Sequence, residues 1–115
     1  MERRKELISL IKSDFEKCLK VLVAMGDETR QAIIVALIET FREPGMRVGE
    51  ITKLTHLSRS VVSHHLRILK DAQIISMRRE GTMTFYSLDM SSVISAQKVL
   101  INHIEAAILE FQDIH

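Results

Sequence analysis

Ser58-Arg59-Ser60-Val61-Val62-Ser63-His64-His65-Leu66-Arg67-Ile68-Leu69-Lys70-Asp71 is the stretch on which the fold turns. Val62, Leu66 and Leu69 recur at i, i+4 and i+7, which places them on one stripe of a helix running from Arg59 to Asp71. Arg59, Ser60, Ser63, His64, Arg67 and Lys70 are left to the other faces. Ser58, just ahead of the periodic run, is the residue type that caps orphan amides at a helix start. Upstream, Gly49 to Thr55 reads as a shorter helix with Ile51 and Leu54 turned inward. Two short helices separated by roughly three residues, the second polar and basic outside, have the spacing of a helix-turn-helix.

On the C-terminal side, Ile75-Ser76-Met77-Arg78 and Thr82-Met83-Thr84-Phe85 alternate with period two, and Arg79-Glu80-Gly81 joins them. This predicts a β-hairpin. A three-residue loop with Gly81 in the left-handed position would pair Met77 with Met83 and Ile75 with Phe85, placing all four on one face and Arg78 and Arg79 near the tip. On the N-terminal side, Leu7, Ile8, Ile11, Phe15, Leu19 and Leu22 keep helical spacing. Ser13 followed by Glu16 is a capping-box pattern that predicts a break or kink there. Gly26 ends that segment, Asp27 caps a second helix through Ile33, Ile34, Leu37 and Ile38, and Arg42-Glu43-Pro44-Gly45 stops it.

The last segment, Ser91 to Gln112, is helical, with Val93, Leu100, Ile104, Ala107, Phe111 and Ile114 on one stripe and Ile94, Ile101 and Ile108 beside it. A helix apolar over so much of its circumference needs cover on two sides, and the economical second cover is another copy of the chain. The expected organisation is one mainly helical domain over 1–115: dimerisation helices at 1–25 and 91–112, a helix-turn-helix at 49–71 and a hairpin at 74–88. At 115 residues with 46% hydrophobic content the chain can bury one core and is short for two.

Charge is distributed unevenly. Residues 47–82 hold seven Lys and Arg against three Asp and Glu, whereas residues 83–115 hold one against four. A basic centre is the footprint of a nucleic-acid surface, and equally of a solvated face. Cys18 is the only cysteine, so neither an intramolecular disulfide nor a multi-thiol metal site can form within one chain, and a reducing cytoplasm is the natural setting. No apolar run reaches membrane length.

The stretch from Val48-Gly49-Glu50-Ile51 through Asp71, then Ile74 to Gly81 and Phe85-Tyr86-Ser87-Leu88, resembles the ArsR/SmtB family of bacterial winged-helix repressors, as does Met25-Gly26-Asp27-Glu28-Thr29-Arg30. Order and spacing are kept over roughly residues 19 to 111. The resemblance implies a winged helix-turn-helix of order α-α-α-α-β-β-α, and a homodimer joined by its terminal helices. It also implies repression through an inverted repeat in double-stranded DNA.

Physical chemistry assigns the individual roles. Ser58 and Ser60 stand at a helix N-terminus, where hydroxyls and amides favour a phosphate. Arg59, Ser60, Ser63 and His64 are the expected readers of base edges, since arginine to guanine is the commonest specific pairing in the major groove. Arg67, Lys70, Arg78 and Arg79 suit phosphate contacts, which hold without reading sequence. Each has a plainer reading: Ser58 is a cap whatever else it does, His65 is assigned to the helix junction, and Lys70 and Asp71 read equally as solvated helix ends.

Family metal sites imply specific ligand positions. A Cys-Val-Cys site would fall on Arg47, Val48 and Gly49, and an interfacial site on Met90, Ser92, His103 and Ala106, so one ligand of four survives. Shifted by one, the set becomes Asp89, Ser91, Asn102 and Glu105, which lacks nitrogen donors. No metal or other cofactor is expected, and the effector is left open, as is any sensing role for Cys18 or His103. Catalysis is not expected either: Ser63 and His64 are neighbours about 100° apart on a helix, so they cannot act as nucleophile and base, and no glycine-rich phosphate loop exists. The competing reading is a winged-helix protein-interaction module, for which the apolar last helix would be the working surface.

Overall fold

The computed structural model describes residues 2–112. Its elements follow as α1 (Glu2–Met25), α2 (Glu28–Glu39), α3 (Val48–Thr55), α4 (Arg59–Asp71), β1 (Ile75–Glu80), β2 (Met83–Leu88) and α5 (Ser91–Gln112). Helix boundaries follow local chemistry. Asp27 accepts from the Arg30 amide at 3.0 Å and starts α2, and Ser58 Oγ accepts from the Val61 amide at 3.2 Å and starts α4. His56, in the left-handed conformation with φ 60°, closes α3 and makes the turn between the two helices.

The chain divides into two compact units, one of them Lys20–Met90. Its core is built from Ile33 and Leu37 of α2, Met46, Ile51 of α3, Val62, Leu66 and Leu69 of α4, and Ile74, all buried. Burial of each such side chain contributes about 1.5–3 kcal/mol. Leu54 departs from expectation: it is 46% exposed, so α3 is held inward by Ile51.

The hairpin is antiparallel, but its register differs from the sequence-based one. Glu80 pairs with Met83, Met77 with Tyr86 and Ile75 with Leu88. The turn is therefore the two residues Gly81 and Thr82, with Gly81 at φ 62° in the first central position that a type II′ turn reserves for glycine. Met83 and Phe85 consequently lie on the face opposite Ile75 and Met77, because side chains alternate along each strand. A third segment joins the hairpin: Met46 donates to the Tyr86 carbonyl at 2.8 Å and accepts from its amide at 2.7 Å. This approach depends on Gly45, since a Cβ there, at φ 117°, would collide with the Tyr86 carbonyl.

The second unit consists of α1 up to Leu19 together with α5. His103 Nδ1 lies 2.6 Å from Asp14 Oδ2, and the Arg4 guanidinium sits 4.2 Å from the Phe111 ring centroid. Residue numbers rise along one helix as they fall along the other, so the two segments are antiparallel. Leu7, Cys18, Val93, Leu100 and Ala107 are buried. The expected break at Ser13 does not occur, because the inward positions Leu7, Asp14 and Cys18 stay in phase across it and packing overrides the local cap. Ile114, expected on the α5 stripe, lies outside the described residues.

Candidate nucleic-acid interface

The polar residues of α4 stand where its buried stripe leaves them. With Val62, Leu66 and Leu69 committed to the core, Arg59, Ser60, Ser63, His64, Arg67 and Lys70 are all exposed. Ser58 is exposed too; its hydroxyl caps Val61 and lies 3.3 Å from that of Ser60, so the two serines share one corner of the helix start. His65 is half-buried, and its Nδ1 lies 3.1 Å from a guanidinium nitrogen of Arg30, in keeping with its assignment to the helix junction.

Two clefts open between the helices and the hairpin. The larger, about 510 Å³, is lined by Arg47, Gly49, Glu50 and Lys53 of the α3 region, Arg59 of α4, and Thr82, Thr84 and Tyr86 of the hairpin. The smaller, about 220 Å³, lies between Ser63, Arg67 and Lys70 of α4 and Met77 and Tyr86 of the hairpin. Tyr86 borders both. Arg47 and Lys53 thus join Arg59 in one basic cleft, a grouping that sequence spacing does not reveal, since the three come from a loop and two different helices. The usable signal was the excess of positive charge over residues 47–82.

Among the described residues, Arg47, Lys53, Arg59, Arg67, Lys70 and Arg79 form no ion pair with a carboxylate, whereas Arg42 is held by Glu50 at 2.6 Å. Arg78 also departs from a free contact: it is engaged by Glu80 and, at 3.7 Å, by Glu43. The hairpin therefore presents one unpaired arginine, Arg79, and one neutralised by carboxylates.

Two carboxylates stiffen the frame. The Arg30 amide, ahead of a smaller charge effect from the Arg30 guanidinium, holds the Asp27 carboxyl below its ordinary value. The Arg47 amide, with Arg42 adding to it, does the same for Glu50. Both are depressed in the folded state, so their contribution is present above the unfolded carboxylate range and is lost as pH falls through the lowered values. No described group of three or more His, Cys, Asp or Glu side chains is arranged to hold a metal ion.

A basic helix face beside a hairpin, on a helix-turn-helix frame, is the geometry of a DNA-reading module, and comparison with known proteins decides its kinship. Residues 27–77 match the family described as bacterial regulatory protein, arsR family. The chain is 32% identical over 84 residues to the transcriptional repressor SdpR of Bacillus subtilis, covering 73% of this chain and 89% of that protein. The chain belongs to the arsR family. Its members are DNA-binding transcriptional regulators, and so is this protein. It is also 39% identical over 72 residues to an uncharacterised helix-turn-helix regulator of Methanocaldococcus jannaschii, MJ1325, covering 63% of this chain and 78% of that one. Among solved structures, a predicted DNA-binding transcriptional regulator from Escherichia coli superimposes with a TM-score of 0.61 at 29% identity, covering 82% of this chain and 96% of that one. The fold is a winged helix-turn-helix, with β1 and β2 as the wing, and no described helix is long and apolar enough to cross a membrane.

Proposed function

We propose that this arsR-family regulator is a cytoplasmic homodimeric repressor that binds an inverted repeat, with α4 of each copy in a major groove. The single observation that carries the reading is the cluster of exposed polar side chains at the start of α4, with basic side chains beside them that no carboxylate holds, set on a helix whose opposite face is locked into the core. Arg59, Ser60, Ser63 and His64 read base edges. Ser58, Arg67, Lys70 and Arg79 bind phosphates, joined by Arg47 and Lys53 from the larger cleft and, less strongly, by the carboxylate-paired Arg78. Repression follows the name of SdpR and the simple physics of a protein that occludes the DNA it covers.

Homodimerisation is supported by uncovered apolar surface on α1 and α5. On α5, Val93, Leu100 and Ala107 are buried while Ile94, Ile101 and Ile108, each one residue further on, are exposed. On α1, Leu7 is buried and Ile8 exposed, and Asp14 is buried and Phe15 exposed. Each helix thus carries a second apolar stripe at seven-residue spacing, the pattern that packs helix against helix. The domain partition that follows has α1 and α5 as dimerisation helices, residues 49–71 as the DNA-reading element and 74–88 as the wing.

The test is titration of a duplex carrying an inverted repeat from upstream of the protein's own gene, at several salt concentrations and against scrambled DNA. Affinity for the repeat should exceed that for scrambled DNA and fall by about 0.9 log unit per log unit of salt for each phosphate contact. Replacing Arg47 and Lys53 together by Ala should lower that slope by roughly two such contacts. Equal affinity for both duplexes would end the sequence-specific reading. A reporter that rises rather than falls on expression of the protein would turn repression into activation.

A further inference from the structure

Arg30 is the buried cation of the DNA-binding unit, 9% exposed at the start of α2, and reading of DNA does not call on it directly. Its guanidinium is spent on three elements. Nε donates to the Ala24 carbonyl at 2.8 Å and one terminal nitrogen to the Val23 carbonyl at 3.2 Å, satisfying backbone acceptors at the end of α1. The other terminal nitrogen points at His65 Nδ1, 3.1 Å away on α4. Asp27 Oδ2, 4.0 Å from the guanidinium, supplies the opposing charge.

The His65 contact fixes chemistry as well as distance. A guanidinium only donates and does not give up its proton, so the nitrogen facing it must carry the lone pair. His65 then carries its hydrogen on Nε2. Its ring meets that of His64 edge-on, centroids 5.1 Å apart at 68°. The charged and titratable groups about His65 are thus Arg30, Asp27 and His64. A stripe of Val62, Leu66 and Leu69 fixes which face of α4 turns inward, and since apolar packing is non-directional, the fine rotation about the helix axis is left to polar contacts. A directional hydrogen bond from a buried, immobilised donor fixes it.

We infer that Arg30 is a positioning residue for the DNA-reading helix: through His65 it sets the rotation of α4 and the seat of His64. The use of that seat in reading a base rests on the function proposed above; the linkage itself does not. The experiment uses the full chain and two readouts. Imidazole nitrogen NMR without DNA should show His65 as the Nε2–H tautomer, and Arg30→Met should mix its tautomers and shift the His64 signals. In DNA titrations, Arg30→Met and His65→Phe should each lower the ratio of specific to non-specific affinity roughly tenfold, as expected for a lost hydrogen bond to a charged group. Together they should cost no more than either alone, because they break one link. Should Arg30→Met fail to fold, Arg30→Lys and the wild-type tautomer carry the test, with Lys restoring part of the ratio. An Nδ1–H tautomer in the wild type, unmoved His64 signals in the Arg30 variant, or additive effects would each overturn the linkage. A His64→Ala protein with undiminished specificity would instead remove His64 from the readers while the NMR result still decides the role of Arg30.

Discussion

Helices α4 and α5 are built on the same plan and finished in opposite ways. Each buries one stripe, Val62, Leu66 and Leu69 in α4 and Val93, Leu100 and Ala107 in α5. Beside its stripe α4 exposes Arg59, Ser63 and Arg67, whereas α5 exposes Ile94, Ile101 and Ile108. Water solvates the first set at no cost, so its partner must offer charge and hydrogen bonds, as phosphates and base edges do. The second set is costly in water, and its partner must offer apolar area. The difference separates a surface chemically suited to nucleic acid from one suited to apolar cover, although buried periodicity alone would score the two helices alike.

The largest effect that could break this contrast comes from α5. Ile101 is 59% exposed and Ile108 52%, so Ile101→Glu with Ile108→Glu should leave the secondary structure intact by circular dichroism. Sedimentation should show the mass halved, and operator affinity should fall by roughly 100-fold or more once two half-sites are no longer bound by one linked pair. An unchanged mass would remove α5 from the dimer contact. Next in size, Arg59→Ala should cost about 1–3 kcal/mol and relax specificity at one base pair per half-site. A loss equal across all DNA sequences would make Arg59 a phosphate ligand. The smallest effect separates the two wing arginines. Arg79→Ala should lower the salt slope by about one contact. Arg78→Ala should lower it less, because Glu80 and Glu43 already neutralise Arg78; equal slopes would mean that DNA draws Arg78 away from its carboxylates.

Much of the interface was legible because its determinants are local. Ser58 and Asp27 cap amides three residues away, and the buried stripe of α4 spans i to i+7. The wing was legible as a hairpin, yet its register was not. Alternation tells which residues share a face within a strand, but pairing across strands depends on turn length, and a two-residue turn led by Gly81 shifts every partner from the three-residue alternative. Ser13 and Glu16 show the converse failure, in which a sound capping signal is outvoted by packing along α1.

By itself, then, the sequence determined the order of elements, the caps, the exposed basic face of α4 and the doubled apolar stripe of α5, since each follows from periodicity and short-range hydrogen bonding within one segment. Only the tertiary structure decided the wing register, the gathering of Arg47, Lys53 and Arg59 in one cleft, the capture of Arg78 by Glu43, and the hold of Arg30 on His65. The reason is physical. Arg30 and His65 stand 35 residues apart in the chain, and no local propensity encodes which distant acceptor a buried guanidinium will meet.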